Sequence, residues 1–263
     1  MTKGDKKNFK LGEFSLKALS LAFALALVND SKAQGTFYPS PEGDVRPLPM
    51  YELYKSQLPK PVFDSKPEYI DFYYKAWEIG FEHFKQPQST SPFVSNFIDE
   101  AFNENIFLWD MSFSTMWGNY AHAIFPAIKG LDNFYVTQMA DGEIVREIGE
   151  KDGHLGVLGW SEPGTEGNLN HPMLPWAELE SYRITGDKKR LDSVYTPLVK
   201  YRDSFQKIYH EPSGLYLTDK AAMDDSPRNA KMLCGIDVAS EMVIFDRWLA
   251  EIAGILGKED EAK

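Results

Sequence analysis

Basic residues are scarce in this chain. Its 263 residues hold 28 Lys and Arg against 39 Asp and Glu, for a formal charge of −11. Nucleic-acid binders neutralise phosphates with clustered Lys and Arg, so that class is excluded as a partner. Cysteine is scarcer still. Cys234 stands alone, which rules out an internal disulfide and any multi-thiolate metal site. No phosphate loop, GxGxxG, HExxH or GxSxG occurs, so nucleotide, zinc-protease and serine-hydrolase chemistry lose their usual signatures. The five histidines, His83, His122, His154, His171 and His210, form no pair at a ligand spacing. No cofactor and no metal site is therefore expected, although acids in loops could hold calcium. What remains is ordinary for a folded globular protein: 43% hydrophobic and 25% charged residues, with 14% aromatics. Aromatic side chains fill cores, and they also line sugar and ligand pockets.

The one long apolar run, Ala18 to Val28, follows a segment carrying Lys3, Lys6, Lys7, Lys10 and Lys17 and precedes Ser31-Lys32-Ala33. A charged start, an apolar stretch and small residues at an A-x-A-like site make residues 1–33 an expected signal peptide. The run is too short to span a bilayer, which takes ~20 apolar residues. Cleavage after Ala33 would remove six lysines and three acids, leaving a charge of −14. The expectation is an exported protein, periplasmic or secreted, with no membrane span after cleavage.

Residues 34–65 are rich in Pro and Gly and read as an extended lead-in segment. Helical spacing then dominates residues 66–263. The first helix is expected over Lys66–Lys85, with apolar residues on two faces, as suits a helix packed on both sides. Others are expected over Trp109–Asn119, Ala121–Met139, Pro175 to Gly186, Asp187–Tyr209 and Ile236–Leu256. Pro175 suits a first helical turn, Gly186 a helix end and Asp187 an N-cap. Strand signals are few, such as Glu143–Ile148 after the Asp141-Gly142 turn. The fold class is all-α, built of helix-loop-helix pairs. Two long loops, Gly149–Pro172 and His210–Gly235, are expected at one end, where they would build a site. Lys258 to Lys263 reads as the first turn of another helix or as an acidic tail.

The chemistry-bearing residues are carboxylates next to tryptophan: Trp109-Asp110, then Trp176 with Glu178, and the run Met223-Asp224-Asp225-Ser226-Pro227-Arg228 in the second long loop. A tryptophan face packs on the C–H face of a pyranose, and a carboxylate accepts hydrogen bonds from its hydroxyls. Each pair alone also reads as core packing, a helix cap or a turn.

The order of segments narrows the reading. Asn105-Ile-Phe-Leu-Trp-Asp110, Leu131-Asp-Asn-Phe-Tyr135, Gln138 through Arg146-Glu147, Leu174-Pro-Trp-Ala-Glu178 and Met223 through Arg228 together resemble glycoside hydrolase family 63, in the six-hairpin glycosidase superfamily. That group includes mannosylglycerate-hydrolase-like and glucosidase-like members. The resemblance covers roughly Asn105 to Leu256. It implies an (α/α)6 barrel, inverting hydrolysis of a glycosidic bond and a carbohydrate substrate, an α-glycoside or oligosaccharide. It places the general acid on Asp224. It makes Trp109, Asp110, Gln138, Arg146, Glu147 and Trp176 candidate pocket residues. Glu178, Asp225 and Arg228, which lie in the same motifs, join them as candidate substrate-binding residues. Asp225 would raise the pKa of Asp224, and Arg228 is expected to pair with Asp225.

Twelve helices with loops need upward of ~350 residues. Residues 66–263 are thus expected to be the N-terminal half of such a barrel. The catalytic base, which an inverting enzyme holds ~6.5–9.5 Å from its acid, is expected beyond Lys263, so this chain alone is expected to be inactive. Two other readings fit the residues: a non-catalytic carbohydrate-binding protein, and a helical-repeat module for protein partners. The repeat reading requires a fixed period of similarity, which is not seen.

Overall fold

The structure, a computed structural model, describes residues 37–39, 43–100, 103–156, 169–218 and 233–262. Chain contacts divide the molecule into Met1–Ala33 and a compact unit, Gln34–Lys263. The described residues are mostly helical. They form α1 (Tyr51–Tyr54), α2 (Glu68–Glu82), α3 (Leu108–Gly118), α4 (Asp132–Val136), α5 (Leu174–Thr185), α6 (Lys188–Tyr209) and α7 (Ile236–Leu256). Three short antiparallel ribbons join the helices: β1 (Phe84–Lys85) with β2 (Phe97–Ile98), β3 (Asn105–Phe107) with β4 (Glu147–Gly149), and β5 (Leu217–Thr218) with β6 (Leu233–Cys234).

The long helices start and stop where local chemistry dictates. Pro175 sits in the first turn of α5, where its missing N–H costs nothing. Gly186 then closes the helix at φ 69°, a left-handed conformation that other residues adopt only at a steric cost. Asp187 caps α6 by accepting the Arg190 backbone N–H at 3.0 Å. The expected helix over Ala121–Met139 does not form. A 3-10 turn ends at Ala121, Pro126 precedes a second 3-10 turn at Ala127–Leu131, and only Asp132–Val136 is α-helical. Proline supplies no N–H and pushes the preceding residue out of the helical region, so the apolar run cannot propagate through it. The expected strand over Glu143–Ile148 shrinks to β4, where Ile148 pairs with Ile106. The lead-in is not wholly extended, because it carries α1 and a 3-10 turn at Lys55–Gln57. At the other end, the carbonyl of Lys258 accepts the N–H groups of Glu261 and Ala262, which makes a single turn.

α3, α5 and α7 lie side by side, α3 against α5 and α5 against α7, while α6 packs behind α5 and α7. α2 is buried on one side only. Trp77, Gly80 and Phe81 face the core, whereas Tyr69 and Phe72 are exposed, so the expected packing on both faces is not found.

A buried ionic cluster ties the layers together. The Arg190 guanidinium donates to both carboxylate oxygens of Glu178 at 2.7 and 2.8 Å, to Asp132 Oδ1 at 2.8 Å and to the Ile128 carbonyl at 2.9 Å. Tyr135 donates its hydroxyl to Glu178, and Tyr38 of the lead-in donates to Asp132. Burial alone would lower the pKa of Arg190, but Glu178 and Asp132 outweigh it and hold the guanidinium well above its usual range.

Candidate functional site

The β3–β4 ribbon brings distant motif segments together. Phe107 pairs with Glu147, and the Leu108 N–H donates to the Arg146 carbonyl at 2.9 Å. Arg146 and Glu147 therefore flank the start of α3, one turn from Trp109 and Asp110. Arg146 pairs with Glu147 at 3.3 Å. Burial raises the pKa of Glu147, and Arg146 and His154 oppose that rise.

Trp109 packs on two rings, with its centroid 4.1 Å from His171 and 4.7 Å from Phe113. Phe113, one helical turn on, lies 5.2 Å from Trp176 of α5. Trp176 in turn lies 6.2 Å from Trp248 of α7, nearly parallel at 29°. Phe113 is exposed and the three tryptophans are half-buried. An aromatic face thus crosses three neighbouring helices. His171 borders it, with Nδ1 at 2.8 and 2.7 Å from the two carboxylate oxygens of Glu241. His171 ends the first long loop and Glu241 lies in the second turn of α7, just after the second loop. The end of the first loop therefore meets α7, and much of both long loops lies outside the described residues.

Other expected residues lie elsewhere. Glu178 is buried on Arg190 and Tyr135, with both oxygens engaged in the core. It follows Trp176 by two positions, which at 3.6 residues per turn is ~200° around the helix, so it faces away from the aromatic row. Gln138 is fully buried and donates to the carbonyls of Gly142 and Pro197 at 2.8 and 3.0 Å, fastening a turn to α6. Asp110 turns from the row toward a separate cavity between α2 and α3. Asp224, Asp225 and Arg228 lie outside the described residues.

Phe113, His171, Glu241 and Trp248 were not singled out by sequence. Phe113 follows Trp109 by four, a helical spacing visible in the chain. The His171–Glu241 pair spans 70 residues and had no local signal. Among the described residues, no group of three or more His, Cys, Asp or Glu could hold a metal ion. No described helix is long and apolar enough to cross a membrane.

No family model matches the chain. It is similar to an uncharacterized protein of Borreliella burgdorferi, 30% identical over 111 residues, which is 41% of this chain and 22% of that protein. The matched stretch is thus about a fifth of the relative's length, and the relative is about 500 residues long, since 111 residues make up 22% of it.

Proposed function

We propose that the chain is the sugar-binding, acid-bearing half of an exported inverting glycosidase of the six-hairpin type. The aromatic face carries the proposal. Rings from α3, α5 and α7 are held at contact distance but left partly open to solvent, with Glu241 at the border to accept hydroxyl hydrogen bonds. A buried core has no use for a row of half-exposed tryptophans, whereas a pyranose offers an apolar face of matching character. The helix order supports the reading. α3, α5 and α7 form a row, and α4 and α6 lie between them in sequence, as three hairpins of a two-ring barrel would. A relative of about 500 residues is long enough for all twelve helices. In this reading Asp224 protonates the leaving oxygen, and a base from outside this chain activates water on the opposite face of the sugar.

The test is a titration of the 263-residue chain with maltotriose and with an α-linked mannotriose, followed by tryptophan fluorescence. At least one sugar shifts the emission, and Trp176→Ala weakens binding about tenfold, the equivalent of ~1.4 kcal/mol of stacking. No reducing sugar is released. A silent titration, or full binding in Trp176→Ala, would contradict the proposal.

A further inference from the structure

The ends of two ribbons face each other across a small polar cavity of about 360 Å³. The β1–β2 ribbon brings Lys85 and Asp99 to it, and the β3–β4 ribbon brings Glu104 and Glu150. Each ladder runs one residue past its strands. The Asp99 N–H donates to the His83 carbonyl and the Glu150 N–H to the Glu104 carbonyl, both at 2.9 Å. Those bonds fix the backbone that carries each acid.

Two of the three acids lining the cavity are paired. Lys85 pairs with Asp99, and Lys151, the residue after Glu150, pairs with Glu104. Glu150 is the third. It is 6% exposed, and its buried Oε1 has no hydrogen-bond partner among the described residues. It forms no ion pair among them either; each lysine near it is engaged by another acid. Burial, then the charge of Asp99, pushes its pKa up to about 7; Glu104 adds to the rise, and Lys85 and Lys151 oppose it from a distance. A buried carboxylate without a close partner is costly, and a ligand that supplies one relieves the cost.

The walls indicate the rest of that ligand. Gln86, Gln88 and Asn103 line the cavity with amides. The Gln86 side chain donates to the Arg46 carbonyl at 2.8 Å, and Asn103 Oδ1 accepts the Asn105 N–H at 2.9 Å, so both amides are held in place. Phe97 is the one aromatic among the described lining residues, and it is almost wholly buried.

We propose that this cavity binds a primary amine on a hydroxylated body, an amino alcohol or amino sugar, with the ammonium against Glu150 and the hydroxyls against the three amides. A bare metal ion does not suit it, since no described group of three or more His, Cys, Asp or Glu could hold one. A quaternary ammonium does not suit it either, because it has no N–H for Glu150 and the walls offer no open aromatic face. A primary ammonium brings three donors and a full charge, and hydroxyls donate and accept as amides do. A volume of about 360 Å³ admits a molecule of monosaccharide size. Binding has a proton signature. The ammonium favours the ionised form of Glu150, so an acid that titrates at about 7 makes affinity rise about tenfold from pH 6 to pH 8. None of the row's four rings lines this cavity, so the proposal does not rest on the sugar-binding reading.

Glucamine is the probe, with sorbitol as its uncharged counterpart; the two differ by an amine in place of one hydroxyl. Calorimetry on the full chain in phosphate buffer reads both affinities. Glucamine binds at least tenfold more tightly than sorbitol at pH 8, and its affinity falls about tenfold at pH 6. Glu150→Gln, checked for folding by its cooperative melt, removes both the preference and the pH dependence. The pH profile of the parent chain needs no variant. Equal binding of the two probes, no glucamine binding at millimolar concentration, a flat pH profile in the parent chain, or a preference for glucamine that survives Glu150→Gln would overturn the proposal.

Discussion

Glu178 and Asp132 are buried around a guanidinium, whereas Glu100, with its carboxylate oxygens buried, lies near Asp110 in a cavity between α2 and α3 that no Lys or Arg lines among the described residues. The first group closes on itself. Arg190 reaches both carboxylates in bidentate or single contacts, two tyrosines donate to the remaining lone pairs, and the cluster is a strut between α4, α5 and α6. In the second, burial and then the charge of Asp110 push the Glu100 pKa up to about 9. Burial of an acid is thus no guide to its role by itself. The charges packed around the acid set how far burial moves its pKa.

The largest test of this contrast is Arg190→Met. It leaves two carboxylates buried without their cation and should cost ~3–5 kcal/mol in urea unfolding. A loss below ~1 kcal/mol would mean that the cluster is not a strut. Next is Glu100→Gln. From its ordinary 4.5 up to about 9, Glu100 binds more proton in the folded chain than in the unfolded one, so its contribution makes stability fall as pH rises through that window. The amide variant loses that part of the slope and is more stable than the parent at alkaline pH. Glu150, raised to about 7 by burial and Asp99, adds a slope of the same sign but is present in both proteins and cancels. The smallest effect belongs to Lys129→Met. Lys129 lies 3.8 Å from Asp132 with a side chain 35% exposed, so solvent screens it and the loss should not exceed ~1 kcal/mol. A larger loss would place it inside the cluster rather than on its rim.

Much of the helical framework was legible in the chain because its signals are local. Pro175, Gly186 and Asp187 mark three helix boundaries within thirteen residues, and each acts through its own backbone or nearest neighbours. The Ala121–Met139 run misled because apolar spacing was weighed above Pro126, whose missing N–H decides the matter. Site residues were harder. Trp176 and Glu178 look like a pair in sequence, but the helix turns them to opposite sides, one to the open row and one to Arg190. Asp110 stands out in sequence beside Trp109, whereas the charge interaction of Glu100 with Asp110, ten positions apart, has no local signal. The contacts of His171 with Glu241 and of Trp176 with Trp248 are set by helix packing, which no local spacing encodes.

The contrast rests most directly on the charge state of Glu100, and carbon-13 NMR reads it. With the side-chain carboxyl resonance of Glu100 assigned by its disappearance in Glu100→Gln, the account predicts a titration midpoint close to 9 in the unliganded chain. A midpoint near the ordinary glutamate value would show that the acid already has a partner and would contradict the account.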